Sequence, residues 1–188
     1  MSAAKSSVNY VSLSKAMSKA LRHRPKRLGI TLASDGSVEL QTLIDALNRR
    51  GGWPRELDEA DVMEVVQNGS KQRFAVEAGR IRARYGHTVP LPITYERAEP
   101  PAILYHGTSP SSVGAILAEG LLPMDRKTVH LSVDVPTAKQ VGARHGGKAV
   151  VLLVDAAQAS RDGITFYRGN DQTWLADRIP PQYLSVME

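Results

Sequence analysis

Apolar side chains in the first half of the chain recur every three or four residues in three segments, 11–24, 38–50 and 58–67. This spacing predicts three amphipathic helices, because it places the apolar residues on one helix face. Ser12 or Ser14 is positioned to cap the first helix, and Asp58 to cap the third. Pro25 cannot continue the first helix, and Gly51 is placed to end the second.

The hydrophobic period changes to two in the segment RFAVEAGRIRARY, residues 73–85. Such alternation predicts two strands, and Ala78-Gly79 provides the turn of a hairpin. Three helices followed by a hairpin are typical of a winged-helix module, a relative of the helix-turn-helix. The next segment, 88–102, holds four of the eleven prolines and predicts an extended connector or a domain boundary.

The second half alternates short apolar runs with two helical patterns. The helical patterns are SPSSVGAILAEG, with Ser109 near its start, and VPTAKQVGARHG, with Pro136 in its first turn. Short strands are predicted for AILYHGT, TVHLS, KAVVLLVDA, GITFYRG, TWLADRI and YLSVM. Many short strands with two helices favour a split β-sheet, so the whole chain is predicted to be an α+β protein.

The positive charge of the chain is concentrated in its first half. Residues 1–97 hold 16 Lys and Arg against 10 Asp and Glu, a net of +6. Residues 98–188 hold 8 against 9, a net of −1, and the sum is the overall +5. A basic half favours a polyanionic partner such as nucleic acid, while a solvated basic surface without a partner explains the charge equally well.

The composition disfavours several classes of protein. The absence of cysteine excludes disulfides and thiolate metal sites and fits a reducing, cytoplasmic compartment. No apolar run reaches the roughly 20 residues that cross a bilayer, so no membrane partner is expected. Residues 1–10 lack a hydrophobic signal segment and are expected to form a short flexible leader. No strand is followed by a GxGxxG or Walker lysine motif, which disfavours Rossmann and P-loop folds.

Four segments hold side chains suited to phosphate chemistry: Arg22-His23, KQRF at 71–74, LYHGT at 104–108 and MDRKTVHLS at 124–132. Each also has a purely structural explanation. Arg22 and His23 would suit a solvated helix end, where cations favour the helix dipole. Arg73 fits an exposed strand position, and His106 fits a core histidine bonded to the backbone.

Taken in order, these segments form a family pattern. The motifs are Leu21-Arg22-His23, Lys71-Gln72-Arg73-Phe74, Ile81-Arg82-Ala83, Gly86-His87-Thr88, Tyr105-His106-Gly107-Thr108, Arg126 before Val129-His130-Leu131-Ser132, and Trp174-Leu175. Their order and spacing resemble the RNA 2′-phosphotransferase family over residues 11–188. Enzymes of this family remove the 2′-phosphate left at a tRNA splice junction and use NAD⁺ as the acceptor.

The resemblance implies a fold and a reaction. Residues 11–97 would form a winged-helix RNA-binding lobe, and residues 98–188 an ADP-ribosyltransferase-type split β-sheet lobe that binds NAD⁺. The RNA 2′-phosphate would displace nicotinamide from NAD⁺, giving a 2′-phospho-ADP-ribosylated RNA intermediate. The 2-hydroxyl of the ribose would then attack phosphorus. The products would be 2′-OH RNA, nicotinamide and ADP-ribose 1″,2″-cyclic phosphate.

The same resemblance carries a catalytic quartet onto Arg22, His23, Arg73 and Arg126. Arginine suits this role because its planar guanidinium stays charged and donates two bonds to phosphate oxygens. His23 can titrate near neutral pH. Whether it donates a proton to the leaving 2′-oxygen or a hydrogen bond to the phosphate is left open by the sequence.

Contacts to the two substrates follow from the resemblance as well. NAD⁺ contacts fall on His106, Gly107, Thr108, Ser109, His130 and Ser132. RNA contacts fall on Arg82 and His87. No metal is required, and a monomer acting on tRNA-like RNA is expected. Three positions depart from the family pattern: Tyr85 stands where Gln is common, Thr88 where Ser is usual, and Thr173 where an aliphatic residue is usual.

Two other functions fit parts of the sequence. An ADP-ribosyltransferase that caps terminal phosphates of RNA or DNA would keep the fold and change the acceptor. A winged-helix regulator that senses a ligand through its second lobe would contact DNA with the helix at 58–67. That helix carries acidic residues, which would repel phosphates, so the regulator is the weaker alternative.

Overall fold

The computed structural model describes residues 7–145 and 147–187. The chain divides into two compact units, Met1–Thr94 and Tyr95–Glu188. The division falls in the proline-rich segment, slightly before the boundary at 97 that the sequence predicted. Part of the predicted leader lies outside the described residues, whereas Val8 packs in the core of the first unit and Asn9 caps its first helix.

Within residues 7–94, three α-helices and a small antiparallel sheet build the first unit. The helices are α1 (Tyr10–Ser18), α2 (Leu40–Arg50) and α3 (Glu59–Asn68). The strands are β1 (Ser37–Glu39), β2 (Phe74–Glu77) and β3 (Arg80–Ala83). The strand order is β1-β3-β2, and both pairings are antiparallel. The predicted hairpin is confirmed, and its turn residues Ala78 and Gly79 have positive φ angles of 48° and 73°.

Aliphatic side chains fill the core of the first unit, as the low aromatic content requires. Its fully buried members include Leu13, Met17, Leu21, Leu43 and Leu47, which confirms the predicted apolar faces of the first two helices. Burying one such side chain stabilises the fold by roughly 1.5–3 kcal/mol. The three helices therefore share one core, and the hairpin packs against it through Phe74 and Ile81.

Two helix ends differ from the sequence-based prediction and one agrees with it. The carboxamide of Asn9 accepts the Ser12 amide at 2.9 Å, so neither Ser12 nor Ser14 caps α1. The segment predicted to begin the second helix at residue 38 is instead β1, and α2 begins at Leu40. Asp58 caps α3 as predicted, in a reciprocal capping box with Asp61.

The last turn of the first helix is a π-helix rather than the predicted α-helix. It spans Lys19–His23 and closes with a 2.8 Å bond from the Arg24 amide to the Lys19 carbonyl. Pro25 then begins a 3₁₀ turn, Pro25–Leu28. A single π turn inside a helix frequently marks a functional site, because it rotates the side chains that follow relative to the α-helical phase.

A six-stranded antiparallel sheet organises the second unit. Its strands are β4 (Ile103–Thr108), β5 (Val129–Ser132), β6 (Val150–Asp155), β7 (Phe166–Arg168), β8 (Thr173–Ala176) and β9 (Leu184–Val186). Its helices are α4 (Pro110–Glu119), α5 (Val135–Gly142) and α6 (Ala156–Arg161). The predicted strands and the first two helices are confirmed, and residue 146 at the end of the second predicted helix lies outside the described residues. Helix α6 was not predicted from the sequence.

The strand order of this sheet is β7-β8-β5-β4-β6-β9. Strand β4 pairs with β6 along its whole length, from Ile103 to Thr108. Among the described residues it aligns with β5 through one pair, Tyr105 with Ser132. The two central strands therefore diverge beyond this pair. The helices and strands of the whole chain also confirm the predicted mixed architecture, α+β.

The second unit has its own apolar core. It includes Leu104, Leu131, Val154 and Ile179, all almost completely inaccessible to solvent. Within the part of the chain that the structure describes, no helix combines the length and the apolar character needed to cross a membrane.

Candidate functional site

The π turn of the first unit is held by a segment more than 60 residues away in sequence. The amides of Thr88 and Val89 both donate to the carbonyl of Arg22, at 2.9 and 3.2 Å. This carbonyl belongs to the last turn of the helix and would otherwise need water or a cap. Two backbone bonds therefore fix Arg22 and His23 relative to the Gly86–Val89 segment.

The guanidinium of Arg22 lies over two aromatic rings. Its Cζ atom is 5.0 Å from the ring centroid of Tyr85 and 5.8 Å from that of Phe74. Cation–π contacts of this kind contribute about 0.5–2 kcal/mol each. The Nε and Nη2 atoms of Arg22 are buried. The side chain is thus held in one orientation, and its charge lies in a partly desolvated environment.

Gly86 leaves the space that this arginine occupies. A Cβ atom built at residue 86 would lie 3.3 Å from Nη1 of Arg22 and 3.5 Å from its Cζ. The φ angle of Gly86 is +83°, a conformation that L-residues rarely adopt. Both the backbone conformation and the close approach of Arg22 therefore require glycine at this position.

His23 is exposed and bonded to the same segment. Its Nδ1 atom lies 3.0 Å from the hydroxyl oxygen of Thr88. The Thr88 hydroxyl is also placed to donate to the Arg22 carbonyl at 3.5 Å. In the cationic ring both nitrogens carry hydrogen, so Nδ1 then donates to this hydroxyl.

Arg73 and Arg82 lie on the hairpin. Arg73 is half-buried and directly precedes Phe74, and its carbonyl accepts the Arg84 amide at 2.8 Å. Arg82 lies on β3 opposite Ala75, and its guanidinium is 3.9 Å from the carboxylate of Glu77. The charge of Arg82 is therefore partly offset by the neighbouring carboxylate of Glu77.

His87 is completely buried, although the sequence suggested that it contacts RNA. Burial, together with the positive charges of Arg22, His23 and Arg82, lowers the pKa of His87 to about 4. The ring is packed so closely on Gly36 that a Cβ there would lie 3.1 Å from its Nε2. His87 is therefore neutral at pH 7, and its predicted contact with RNA stays a prediction.

In the second unit, a histidine side chain spans the divergence of β4 and β5. Nδ1 of His106 lies 3.0 Å from the carbonyl oxygen of His130. A carbonyl only accepts, so Nδ1 of His106 carries the hydrogen and Nε2 is the basic nitrogen. Burial lowers the pKa of His106, and its bond to the His130 carbonyl partly offsets this. His106 is thus a neutral ring whose orientation depends on β5.

Arg126 joins this arrangement through the side chain of His130. Its Nη1 atom lies 3.2 Å from Nε2 of His130. A guanidinium only donates, so Nε2 of His130 accepts and its Nδ1 carries the hydrogen. The exposed guanidinium is thereby fixed relative to β5. Three residues predicted from the sequence, Arg126, His130 and His106, form one bonded chain.

Gly107 has a packing role that the sequence did not reveal. A Cβ atom at residue 107 would lie 1.7 Å from the carbonyl oxygen of Ala138 in α5. Gly142 of the same helix also lies close to β4, because a Cβ atom at residue 142 would lie 2.8 Å from the amide nitrogen of Thr108. Glycine at 107 therefore allows α5 to pack on β4, and its predicted contact with NAD⁺ stays a prediction.

The remaining predicted NAD⁺ residues lie near the same strands. Ser109 directly follows β4 and precedes α4, and its hydroxyl lies 2.9 Å from those of Ser111 and Ser112. Ser132 is buried at the end of β5, opposite both Tyr105 and Thr173. Thr173 thus takes a cross-strand position, while its carbonyl accepts the amides of the turn before β8.

Comparison with a family model decides the relationship of this chain. The model described as "RNA 2'-phosphotransferase, Tpt1 / KptA family" matches residues 8–178. The chain belongs to this family. The resemblance that the motifs suggested is therefore confirmed, and the match extends across both units.

Individual relatives are similar over nearly their whole length. A probable RNA 2′-phosphotransferase of Acetivibrio thermocellus is 42% identical over 94% of this chain and 97% of its own. The corresponding protein of Trichormus variabilis is 45% identical over 94% of this chain and 96% of its own. That of Streptomyces coelicolor is 46% identical over 93% of both.

Two residues of the candidate site were noted in the sequence as departures from the family pattern and not as site residues. Tyr85 provides a ring beneath Arg22, and Thr88 bonds His23. Their positions on either side of Gly86-His87 were the available signal. Nothing in the local sequence indicates that this segment contacts the π turn, because the two are far apart along the chain.

Proposed function

We propose that this protein removes an internal 2′-phosphate from RNA by transferring it to NAD⁺, which is consumed as a co-substrate. The observation that carries the proposal is the fixed position of Arg22 and His23. Both are anchored to the Tyr85–Val89 segment before any substrate binds. Groups held in place in this way stabilise developing charge without the cost of reorganisation. Membership of the RNA 2′-phosphotransferase family supports the removal of the phosphate.

We further propose that the first unit is a winged-helix RNA-binding lobe. Its element order is helix, strand, helix, helix, strand, strand, with the last two strands forming the hairpin. The three-stranded sheet places β3 between β1 and β2. This arrangement supports the proposal, and the net charge of +6 over residues 1–97 suits an RNA partner.

For the second unit we propose an ADP-ribosyltransferase-type lobe. The divergence of β4 from β5 beyond one aligned pair supports a split sheet. The residues proposed to hold NAD⁺ lie where the two strands separate, on β4, at the start of α4 and on β5.

The side chains at this position suit a dinucleotide with two phosphates. They offer the imidazoles of His106 and His130, the hydroxyls of Thr108, Ser109 and Ser132, and the guanidinium of Arg126. His106 and His130 are oriented by the bonds described above, which favours one binding geometry. NAD⁺ would supply an electrophilic ribose carbon with nicotinamide as its leaving group.

The quartet would act on the phosphate in both steps of the transfer. In the first, an oxygen of the RNA 2′-phosphate bonds to the ribose carbon as nicotinamide leaves. In the second, the adjacent ribose hydroxyl bonds to phosphorus and the RNA 2′-oxygen leaves with a proton. Arg22, Arg73 and Arg126 would neutralise the phosphate oxygens. The negative charge on these oxygens would increase in the second step, as the ribose hydroxyl bonds to phosphorus.

His23 is proposed as the proton donor for the leaving RNA 2′-oxygen. Thr88 holds its Nδ1 atom, so the proton would pass from Nε2 of the cationic ring. His87 would act through its neighbours, because it is buried and neutral. The protein is proposed to act as a monomer in the cytoplasm on tRNA-like RNA, without a metal.

A short RNA with one internal 2′-phosphate tests this function. The protein is incubated with it, with and without NAD⁺, and the RNA and nicotinamide products are resolved by chromatography. The proposal expects loss of the phosphate only with NAD⁺, with one nicotinamide released per phosphate lost. A parallel RNA with a terminal phosphate tests capping: ADP-ribose added there, with the internal 2′-phosphate untouched, would contradict the proposal.

A further inference from the structure

Two segments of the first unit carry charge of one sign only. Residues 19–27 contain five Lys and Arg, with His23 and no acidic residue, and form the basic segment below. Residues 56–64 contain five Asp and Glu and no basic residue, and form the acidic segment. The two segments have the same length and opposite charge, so the unit is electrically asymmetric.

The first helix connects these segments. At its start, the hydroxyl of Tyr10 lies 3.4 Å from Oδ1 of Asp61 in the acidic segment. Burial and the charges of Asp61 and Glu64 raise the pKa of Tyr10. At its other end, the helix continues directly into the π turn at Lys19–His23. The acidic segment is therefore at the start of the first helix and the basic segment at its end.

The separation of the two segments is larger than the range of screened charge. The 9–13 residues from Tyr10 to the π turn correspond to roughly 14–20 Å of helix at about 1.5 Å per residue. The Debye length at physiological ionic strength is about 8 Å. Salt therefore weakens the effect of the acidic segment on the potential at the π turn, and a polyanion is attracted to one end of the helix and repelled from the other.

The cations of the basic segment are available to a partner. Lys19, Arg24, Lys26 and Arg27 are all exposed. Within residues 7–145 and 147–187, none of these four side chains forms an ion pair with a carboxylate. By contrast, one carboxylate of the acidic segment is neutralised internally, since Arg55 binds Asp61 with two bonds of 2.7 Å.

Capping of the helix end does not account for these cations. Carbonyls in the last turn already accept backbone amides: Lys19 accepts from Arg24, and Arg22 accepts from Thr88 and Val89. Cations near a helix C-terminus gain about 0.3–1 kcal/mol each from the dipole. That gain does not require four of them on one short segment, where they repel one another.

We propose that Lys19, Arg24, Lys26 and Arg27 bind backbone phosphates of the RNA on either side of the reacting nucleotide. The inference rests on the proposed function, because it takes the phosphate at Arg22 and His23 as its reference point. Residues 22 and 23 lie inside the basic segment, so an RNA strand whose 2′-phosphate reaches them brings its neighbouring phosphates past the other cations. The acidic segment excludes the strand from the start of α3.

Binding of RNAs of different length tests this surface. The double variant Lys26→Ala/Arg27→Ala is compared with the wild type by fluorescence anisotropy, using a labelled dinucleotide and a labelled 12-nucleotide RNA, each with one 2′-phosphate. The plot of log K against log salt has a negative slope. Removal of two phosphate contacts is expected to make this slope shallower by about 1.4 for single-stranded RNA. Affinity for the longer RNA is expected to fall about tenfold or more at low salt.

The control is Lys139→Ala/Lys148→Ala, which removes the same charge from two exposed lysines of the second unit. Thermal unfolding of both variants checks that each is folded. An unchanged salt slope in the first variant, or an equal loss in the control, would overturn the proposal. The proposal would also be overturned if Lys26→Ala/Arg27→Ala lost binding to anionic phospholipid vesicles but kept RNA binding. The surface would then be assigned to a membrane.

Turnover of the wild type distinguishes this inference from the proposed function. If the wild type binds the longer RNA through Lys26 and Arg27 but releases no 2′-phosphate with NAD⁺, the RNA surface stands and the proposed function fails. If the wild type releases the phosphate and Lys26→Ala/Arg27→Ala keeps the wild-type dependence of KM on RNA length, the proposed function stands. The proposal of the RNA-binding surface then fails.

Discussion

The guanidinium of Arg126 is bonded to the imidazole of His130, with 3.2 Å between Nη1 and Nε2. The backbone carbonyl oxygen of His130 also accepts a hydrogen bond from Nδ1 of His106. An exposed arginine on a loop is normally free to adopt many rotamers, and its ordering costs up to about 2 kcal/mol. The bond to β5 reduces this cost before substrate binds. Arg126 is therefore suited to a catalytic role that needs a fixed position.

Replacement of Arg126 by alanine is expected to reduce catalysis without unfolding the protein. Loss of one fixed charge at the phosphate should lower kcat about 100–1,000-fold. The free energy of unfolding should change by no more than about 0.5 kcal/mol, because the side chain is exposed. Steady-state turnover and thermal unfolding measure the two effects. Lys127→Ala is the control, and wild-type turnover by Arg126→Ala would exclude this arginine from the quartet.

A methyl group at Gly86 is expected to displace Arg22. The substitution Gly86→Ala places a Cβ 3.3 Å from Nη1 of Arg22 and strains a backbone with φ of +83°. Gly79→Ala is the matched control, because its φ is +73° and nothing lies within 4 Å of the new Cβ. Both variants should lose about 1–2 kcal/mol of stability through the backbone.

Kinetics separate these two glycine variants. Only Gly86→Ala is expected to lower kcat for 2′-phosphate removal, by roughly tenfold or more, because small displacements of a catalytic group are costly. Denaturant unfolding provides the stability comparison. If the two variants lose kcat equally, the contact between Gly86 and Arg22 has no part in catalysis.

Loss of the Thr88 hydroxyl is expected to disturb His23. The substitution Thr88→Val keeps the shape of the side chain and removes the partner of Nδ1, whereas Thr88→Ser keeps the hydroxyl. The valine variant should lower kcat by roughly fivefold, in line with a lost hydrogen bond of about 1 kcal/mol, and shift the pH profile of kcat. The serine variant should restore both. A pH profile that is identical in all three proteins would contradict a positioning role.

The buried ring of His87 is expected to make the protein less stable in acid. Its folded-state pKa is about 4, below the ordinary value of 6.5. Between these values the unfolded chain binds more protons than the folded protein, so stability falls as pH falls from 6.5 to 4. The loss should reach roughly 3 kcal/mol below pH 4.

The variant His87→Gln tests this acid sensitivity. Its unfolding free energy should fall less than that of the wild type over the same pH range, as measured by denaturant titrations at several pH values. His106 also has a lowered pKa, and its contribution is retained in the variant. Parallel curves for His87→Gln and the wild type would show that His87 is protonated freely in the folded protein.

Local patterns in the sequence were sufficient to predict most of the elements of this fold. Periodicity predicted α2 and α3 closely, and the Ala78-Gly79 turn predicted the hairpin. Such features depend on neighbours within a few residues. The π turn at Lys19–His23 was missed, because its apolar spacing is the same as that of an α-helix. Strand β1 was missed for a different reason, since its pairing with Arg80–Arg82 is long-range.

The sequence indicated candidate site residues but not the contacts that hold them. The motifs indicated Arg22, His23 and Arg126, and their catalytic roles stay predictions. The bonds that hold them depend on residues far away in sequence, such as Thr88 at His23, which no local pattern encodes. The sequence also could not show that the ring of His87 is buried.

The fate of the phosphorus atom is the most direct test of the account. The protein, NAD⁺ and an RNA with one internal 2′-phosphate are incubated in ¹⁸O-labelled water, and the products are analysed by mass spectrometry. Transfer predicts that all released phosphorus appears in ADP-ribose cyclic phosphate and that neither this product nor the RNA 2′-hydroxyl contains ¹⁸O. Release of ¹⁸O-labelled inorganic phosphate, independent of NAD⁺, would show hydrolysis and would contradict the account.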